Sequence, residues 1–241
     1  MKLSFVVPAY NEEAYIFDSL MAIRAEIDRE ALSADTEIIV VDNASTDSTV
    51  SIAQSVSGVR VVGEPRKGVS FARQKGLESV SGDIVAYIDA DTKILPGWIT
   101  RMLASFNDGG EVVGVSGPYL YYDLPEFWKS VAGPYQALAE RLSLILTGQC
   151  VFGGNFAGRR SALLSVGGFD LSIPFYGEDT DIVRRLRTLG KFKFDTKLVV
   201  LSSARRFNAE GVFKTSGIDA LNLLSETVRK RSFLSKYRDI R

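Results

Sequence analysis

The 241-residue chain contains no histidine. That excludes a Ser-His-Asp or Cys-His site built within it, and a histidine-ligated zinc. Acid–base work near neutral pH then falls to carboxylates, tyrosine, lysine or the lone thiol. That thiol, Cys150, is the one cysteine, so no intrachain disulfide forms, which fits a reducing compartment. Net charge is lacking as well: 29 Lys plus Arg balance 29 Asp plus Glu. A neutral chain has no general attraction for nucleic acid, and none is expected as a partner. No apolar run is long enough to span a bilayer. The longest candidate, Leu138 to Leu146, is interrupted by Glu140, Arg141 and Ser143. The opening MKLSFVVPAYNEE meets acids early and lacks the apolar segment of a signal peptide. No Gly-x-Gly-x-x-Gly follows the first apolar run and no P-loop occurs, which disfavours a dehydrogenase.

What is present is an apolar fraction of 46%, enough for a full core. Strand and helix patterns alternate through the first half. Leu3 to Val7 reads as a strand closed by Pro8, and Asn11 to Ile27 as a helix with Asn11 its N-cap. Glu37 to Val41 is a second strand, Ser45 to Ser55 a short helix, Val59 to Val62 a third strand and Gly68 to Val80 a third helix. Asp83 to Ile88 is the fourth strand. This order predicts an α/β fold with a mostly parallel sheet and helices on both faces. Such sheets bind ligands beyond the carboxyl ends of their strands. Three of those ends carry Pro8-Ala9-Tyr10-Asn11-Glu12, Asp42-Asn43 and Asp89-Ala90-Asp91.

The second half reads differently. Helices are expected over Pro96 to Phe106, Phe127 to Leu146 and Glu178 to Leu189, and one or two helical turns over Ser161 to Val166. Glu111 to Ser116 reads as a strand, Gly148 to Gly158 as Gly-rich extended chain, and Lys191 to Asp195 with Lys197 to Ser202 as paired strands. A helical tail is expected from Ala209. No repeat or linker divides the chain, so one domain, 1–241, is expected.

Two aspartates at i and i+2 at a strand end can face one pocket. Their hard oxygens suit Mg²⁺ or Mn²⁺, which prefers one or two carboxylates plus substrate phosphates. Asp89 and Asp91 supply that minimum. The bland alternative is a capped turn.

Five segments occur in order: VVPAYNEE at Val6 to Glu13, VDNASTD at Val41 to Asp47, Asp89-Ala90-Asp91, GGNFAGRR at Gly153 to Arg160 with GGFD at Gly167 to Asp170, and GEDTD at Gly177 to Asp181 with Arg184-Arg185. Together they resemble the family 2 glycosyltransferases, which have the GT-A fold, across roughly Lys2 to Arg206. The resemblance implies a nucleotide-sugar-binding half (1–95), an acceptor and catalytic half (96–206) and a basic tail (207–241).

It also implies roles by position. Pro8, Ala9, Tyr10 and Glu12 line the nucleotide pocket. Asp42 stands where the family has the first of two acids, and Asn43 where it has the second, which leaves the UDP-, GDP- or dTDP-sugar open. Asn43 still offers a donor and an acceptor to a base edge. Lys67, Gly68 and Arg73 lie near the nucleotide. Asp89 holds ribose or metal and Asp91 the metal, with Ala90 between them. Gly153, Gly154 and Asn155, with Trp98 as a packing anchor, belong to the acceptor side. Asp179 is the expected general base in an inverting reaction and Glu178 orients the site. Its approach, Ile173-Pro174-Phe175-Tyr176, would raise its pKa. Structural roles compete: Asp47 and Asp181 as helix caps, Arg184, Arg185 and Arg187 as salt-bridge partners. Arg205 or Arg206 can bring a cation towards the donor diphosphate.

Tyr119, Tyr121, Tyr122, Phe127 and Trp128 stand between the halves, where aromatic faces stack on sugars or bury in a core. The tail VRKRSFLSKYRDIR permits an interfacial helix on an anionic membrane, or a solvated helix end. The expectation is a cytoplasmic enzyme, peripheral at the inner membrane face if the tail binds. It would transfer sugar to a hydroxyl of a saccharide or lipid-linked acceptor. The competing readings are a sugar nucleotidyltransferase, which should show a Gly-rich basic phosphate loop where acidic PAYNEE stands, and a non-catalytic nucleotide-sugar-binding protein, which could dispense with Asp91 or Asp179.

Overall fold

The computed structural model describes residues 1–32, 34–107, 111–125, 127, 141, 151–173, 175 and 177–205. The helix expected over 127–146, Trp128, Cys150, Pro174, Tyr176, Arg206 and the tail lie wholly or mostly outside these residues.

The first half alternates strand and helix as its apolar pattern dictates: β1 (Leu3–Ala9), α1 (Ile16–Arg29), β2 (Thr36–Asp42), α2 (Thr49–Ser55), β3 (Val59–Gly63), α3 (Val69–Ser79) and β4 (Ile84–Ile88). There follow β5 (Thr92–Ile94), α4 (Trp98–Phe106), β6 (Val112–Ser116), β7 (Tyr119–Tyr121), β8 (Asn155–Arg159), α5 (Arg160–Ser165), α6 (Glu178–Leu186), β9 (Lys191–Phe194) and β10 (Val200–Ser202). A seven-stranded sheet runs β3-β2-β1-β4-β8-β6-β9. Only β8 is antiparallel to its neighbours; the other strands run one way.

The central strands are apolar on both faces because both faces are covered. Side chains alternate along a strand, so Leu3, Phe5 and Val7 pack with Ile16, Leu20, Ile23 and Ile27 of α1 and with Trp98, Ile99 and Met102 of α4. Val6, Ile39, Val41 and Tyr87 face the other way, against Ala72 and Leu77 of α3 and Ile182, Val183 and Leu186 of α6. Each fully buried aliphatic side chain contributes roughly 1.5–3 kcal/mol. Gly76 lets α3 press on β1: a Cβ there would lie 2.3 Å from Val6 Cγ1.

A second, three-stranded sheet runs β5-β10-β7 beyond the carboxyl edge of the large one, with β10 antiparallel to β5 and parallel to β7. This corrects the expected pairing of the strands at 191–195 and 197–202. β9 instead extends the large sheet beside β6, and β10 joins the small one. Pro8 does not close β1 but sits inside it opposite Val41. The pairing of β1 with β4 covers only Leu3 to Val6, so no ladder on that flank is broken by the missing N–H. Asn11 does not cap α1, which starts at Ile16 after Tyr15. It has φ +52°, a left-handed turn conformation that Asn tolerates. The second helix starts at Thr49 rather than Ser45, because Ser45 to Ser48 are engaged with the loop after β1.

Candidate active site

The loops after β1 and β2 are bound to each other residue by residue. Ser45 Oγ accepts from the Asn11 N–H at 3.0 Å, and Asn11 Oδ1 accepts from the Thr46 N–H at 2.8 Å. Thr49 Oγ1 accepts from the Glu12 N–H at 2.7 Å, and Asp47 Oδ2 from the Glu13 N–H at 3.1 Å. Glu13 Oε2 accepts from the Ser48 N–H at 3.0 Å. Asp47 Oδ1 also accepts from the Thr49 N–H at 3.0 Å, at the start of α2. The NASTD stretch therefore shapes the PAYNEE loop; Ser48, not Asp47, is the N-cap of α2, and Asp47 braces the loop against the start of the helix.

Asp89 and Asp91 follow β4 directly. The antiparallel register of β8, with Ile88 opposite Asn155, carries Gly153-Gly154 across from Asp89. A Cβ on Gly154 would stand 2.1 Å from Asp89 Oδ2 and 2.6 Å from Tyr119 Oη. A Cβ on Gly153 would stand 2.5 Å from Arg73 Nη1. Two glycines are needed here so that charged side chains can lie against bare backbone. Tyr119 Oη accepts from the Gly154 N–H at 2.8 Å.

Arg73, buried on α3, links the strand end to α6. Its Nη1 donates to Glu178 Oε1 at 2.5 Å and its Nη2 to Asp89 Oδ1 at 3.2 Å. Burial pushes Glu178 up to about 8; the charge of Asp179 adds to this and Arg73 opposes it. Burial also raises Asp179 above the usual aspartate range, against Arg73 and the N–H groups of Thr180 and Gly153. Arg73 itself is held firmly charged: burial works against it, but Glu178, Asp89 and Asp179 outweigh burial. Burial and then the charge of Asp89 lift Tyr119 well above the ordinary tyrosine range.

Arg205 is the member least legible in the sequence. The antiparallel pair Ser202 and Thr92 brings the segment after β10 beside the segment before β5, which is Asp91. Asp123 Oδ2 accepts from Ser203 Oγ at 2.6 Å, and its Oδ1 from the Ala204 N–H. The guanidinium then donates to Glu12 Oε2 at 2.7 Å and Oε1 at 2.6 Å, and lies 3.0 Å from Asp91 Oδ2. The sequence signal for it was a cation three residues beyond the end of a strand, Ser202.

Other expected site residues are placed as follows. Lys67 Nζ donates to Tyr10 Oη at 2.7 Å, at an exposed rim. Asp42 Oδ1 accepts from the Ser45 N–H at 3.1 Å. The Asn43 amide is spent on the chain after β3: Nδ2 donates to Glu64 O at 2.9 Å and Arg66 O at 2.7 Å, and Oδ1 accepts from the Gly68 N–H at 2.8 Å. Trp98 and Asn155 are interior, 2% and 0% exposed: Trp98 sits as a packing anchor, and Asn155 turns its amide inward beside it. Trp98 Nε1 donates to Asn155 Oδ1 at 3.1 Å, and Asn155 Nδ2 to Leu198 O at 2.7 Å. A buried indole N–H and a buried amide require partners, and these two supply each other's. Arg184 and Arg185 both pair with Asp181, the salt-bridge role expected of them.

Among the described residues, no group of three or more acidic or cysteine side chains is assembled to hold a metal. The carboxylate pair Asp89 and Asp91 nonetheless fits Mg²⁺ or Mn²⁺ in kind, since such ions take water and diphosphate for their remaining positions.

Residues 4–167 match the model of Glycosyl transferase family 2, more than half of the chain, and the chain belongs to that family. The dolichol-phosphate mannosyltransferase of Pyrococcus furiosus is 32% identical over 116 residues, 46% of this chain and 32% of that protein. The uncharacterised glycosyltransferase YibD of Escherichia coli (strain K12) is 29% identical over 135 residues, 54% of this chain and 38% of that protein. The chain thus spans well under half the length of these curated relatives. The mannosyltransferase PcManGT from Pyrobaculum calidifontis, solved with GDP-Man and Mn²⁺, superposes with TM-score 0.73 at 21% identity, covering 95% of this chain and 63% of that one. Glucosyl-3-phosphoglycerate synthase from Mycobacterium tuberculosis, solved with Mn²⁺, UDP and phosphoglyceric acid, gives TM-score 0.66 at 25% identity, covering 95% and 78%. The fold has the mostly parallel sheet that the strand order predicts and is the GT-A fold that the family resemblance implies.

Proposed function

We propose that this chain, as a single GT-A domain, transfers a sugar from a nucleotide-sugar donor to a hydroxyl of a saccharide or lipid-linked acceptor, with inversion and with a divalent cation. The observation that carries the reading is Arg73. One buried guanidinium bonds the strand-end acid Asp89 and Glu178 of α6, and its charge acts on the adjacent Asp179, which supports reading donor-side and base-side carboxylates as one site. Relatives solved with GDP-Man or UDP and Mn²⁺ support the donor class.

The donor diphosphate would lie beyond β1, β2 and β4, between the PAYNEE loop and Asp89. Asp89 and Asp91 would hold Mg²⁺ or Mn²⁺, which supplies positive charge to the leaving diphosphate. Asp179, raised by burial, takes the proton of the acceptor hydroxyl. The acceptor oxygen bonds to the anomeric carbon as the carbon–oxygen bond to phosphate breaks, and the nucleoside diphosphate leaves with that electron pair. Glu178 holds Arg73, and through it the position of Asp89. Asn43 shapes the chain from Glu64 to Gly68 beside the pocket, and Lys67 with Tyr10 forms its rim. The acceptor enters beside Gly153-Gly154 and α6.

The test is Asp179→Asn with a nucleotide sugar that the protein binds. Transfer should fall about 10²–10⁴-fold while donor binding persists, and the wild-type product should show the inverted anomer by NMR. Normal turnover in the variant rejects Asp179 as base; a retained anomer rejects the direct displacement.

A further inference from the structure

We propose that Arg205 is the resident counter-cation of Asp91, and that it yields this carboxylate to the divalent cation and moves onto the donor diphosphate when the donor binds. The inference rests on the reading of Asp89 and Asp91 as metal carboxylates.

The observation is a fork held between two acids of unequal grip. Both terminal nitrogens of Arg205 engage Glu12, at 2.6 and 2.7 Å, and Glu12 is 3% exposed. The approach to Asp91 is longer, 3.0 Å, and the Asp91 side chain is the more open of the two acids, 14% exposed. A short, bidentate, buried arginine–carboxylate pair is held more tightly than a longer contact nearer to solvent. Asp91 is therefore the contact that gives way, while Glu12 keeps the guanidinium in the site.

The arm carrying Arg205 is built to stay. Ser203 Oγ accepts the Arg205 N–H at 3.2 Å, and Asp123 holds both Ser203 and Ala204. The Tyr15 ring lies 4.9 Å from the guanidinium carbon, a cation–π support. Glu12, expected to line the nucleotide pocket, also positions Arg205 there.

Electrostatics then sets the order of events. A divalent cation arriving alone on Asp91 meets a guanidinium already there, so metal binding without nucleotide is weakened. A diphosphate arriving with the metal brings the charge that both cations need, and arginine pairs with phosphate oxygens as it does with carboxylates. Metal and nucleoside diphosphate should therefore bind with positive coupling, and Arg205 is a source of that coupling.

The test measures Mn²⁺ binding by electron paramagnetic resonance of free Mn²⁺. It uses the full chain, without and with GDP or UDP, for the wild type, Arg205→Met and Arg205→Lys, each checked for folding by its melting transition. Arg205→Met should bind Mn²⁺ alone about tenfold more tightly than wild type, because one adjacent positive charge is gone. The gain in Mn²⁺ affinity on adding the diphosphate should shrink by a similar factor. Arg205→Lys, charged but without the fork, should fall between. Unchanged or weaker Mn²⁺ binding in both variants, with wild-type binding intact, overturns the exchange and leaves the metal site standing. No Mn²⁺ binding by any of the three proteins, with or without diphosphate, overturns the metal site and the exchange together. If Arg205→Met does not fold, Arg205→Lys decides on the same readout. A purely structural brace would not tighten metal binding when it is removed.

Discussion

Asp89 and Glu178 share the buried guanidinium of Arg73, whose charge also acts on Asp179. Burial, and the mutual repulsion of two adjacent acids on α6, raise Glu178 and Asp179 above the ordinary carboxylate range, with Arg73 opposing. Glu178 is pushed from 4.5 to about 8. Its sign for stability follows from linkage. The folded chain keeps the proton that the unfolded chain has released, so this contribution is complete below 4.5 and lost as pH rises towards 8. The melting temperature should fall across that interval, and Glu178→Gln should flatten the slope; an unchanged slope would remove Glu178 from the account. The glycines beside the cluster give a second residue-scale prediction. Gly154→Ala places a Cβ 2.1 Å from Asp89 Oδ2. It should cost roughly 1–3 kcal/mol of stability, seen in denaturant melts, and weaken Mn²⁺-supported nucleotide binding in the protein that still folds.

At the scale of elements, the central strands of the large sheet were legible because buried parallel strands are continuous apolar runs separated by amphipathic helices. The carboxyl edge could therefore be placed, and with it the Asp42 and Asp89 ends. In the small sheet β5 and β7 were not legible, three residues each being too few for a period to show, and β10 was legible as a strand but not in its pairing. Their pairing, not their composition, delivers Arg205 to Asp91. β8 was hidden by its Gly-rich sequence, and its antiparallel insertion beside β4 is what brings Gly153-Gly154 to Asp89. The same strand carries Asn155 inward, where its amide joins α4 to the segment before β10. Asn155→Ala would leave the Trp98 N–H and the Leu198 carbonyl without these partners. It should cost roughly 2–4 kcal/mol, measured by urea unfolding, while nucleotide affinity in the folded protein stays near wild type. A stable variant with lost affinity would return Asn155 to the ligand.

For the whole molecule, the family is shown by the match over residues 4–167. The donor nucleotide was not legible, because Asn43 departs from the family's second acid and its amide is committed to the loop after β3. Among the described residues no helix is long and apolar enough to cross a membrane. The central claim is that strand-end carboxylates hold a nucleoside diphosphate through a divalent cation. Calorimetric titration of GDP and UDP into wild type and Asp91→Ala, with Mn²⁺ and with a chelator, tests it most directly. One of the two diphosphates should bind the wild type only with Mn²⁺ and should not bind Asp91→Ala. Binding that is equal in both proteins and indifferent to the chelator would contradict the claim.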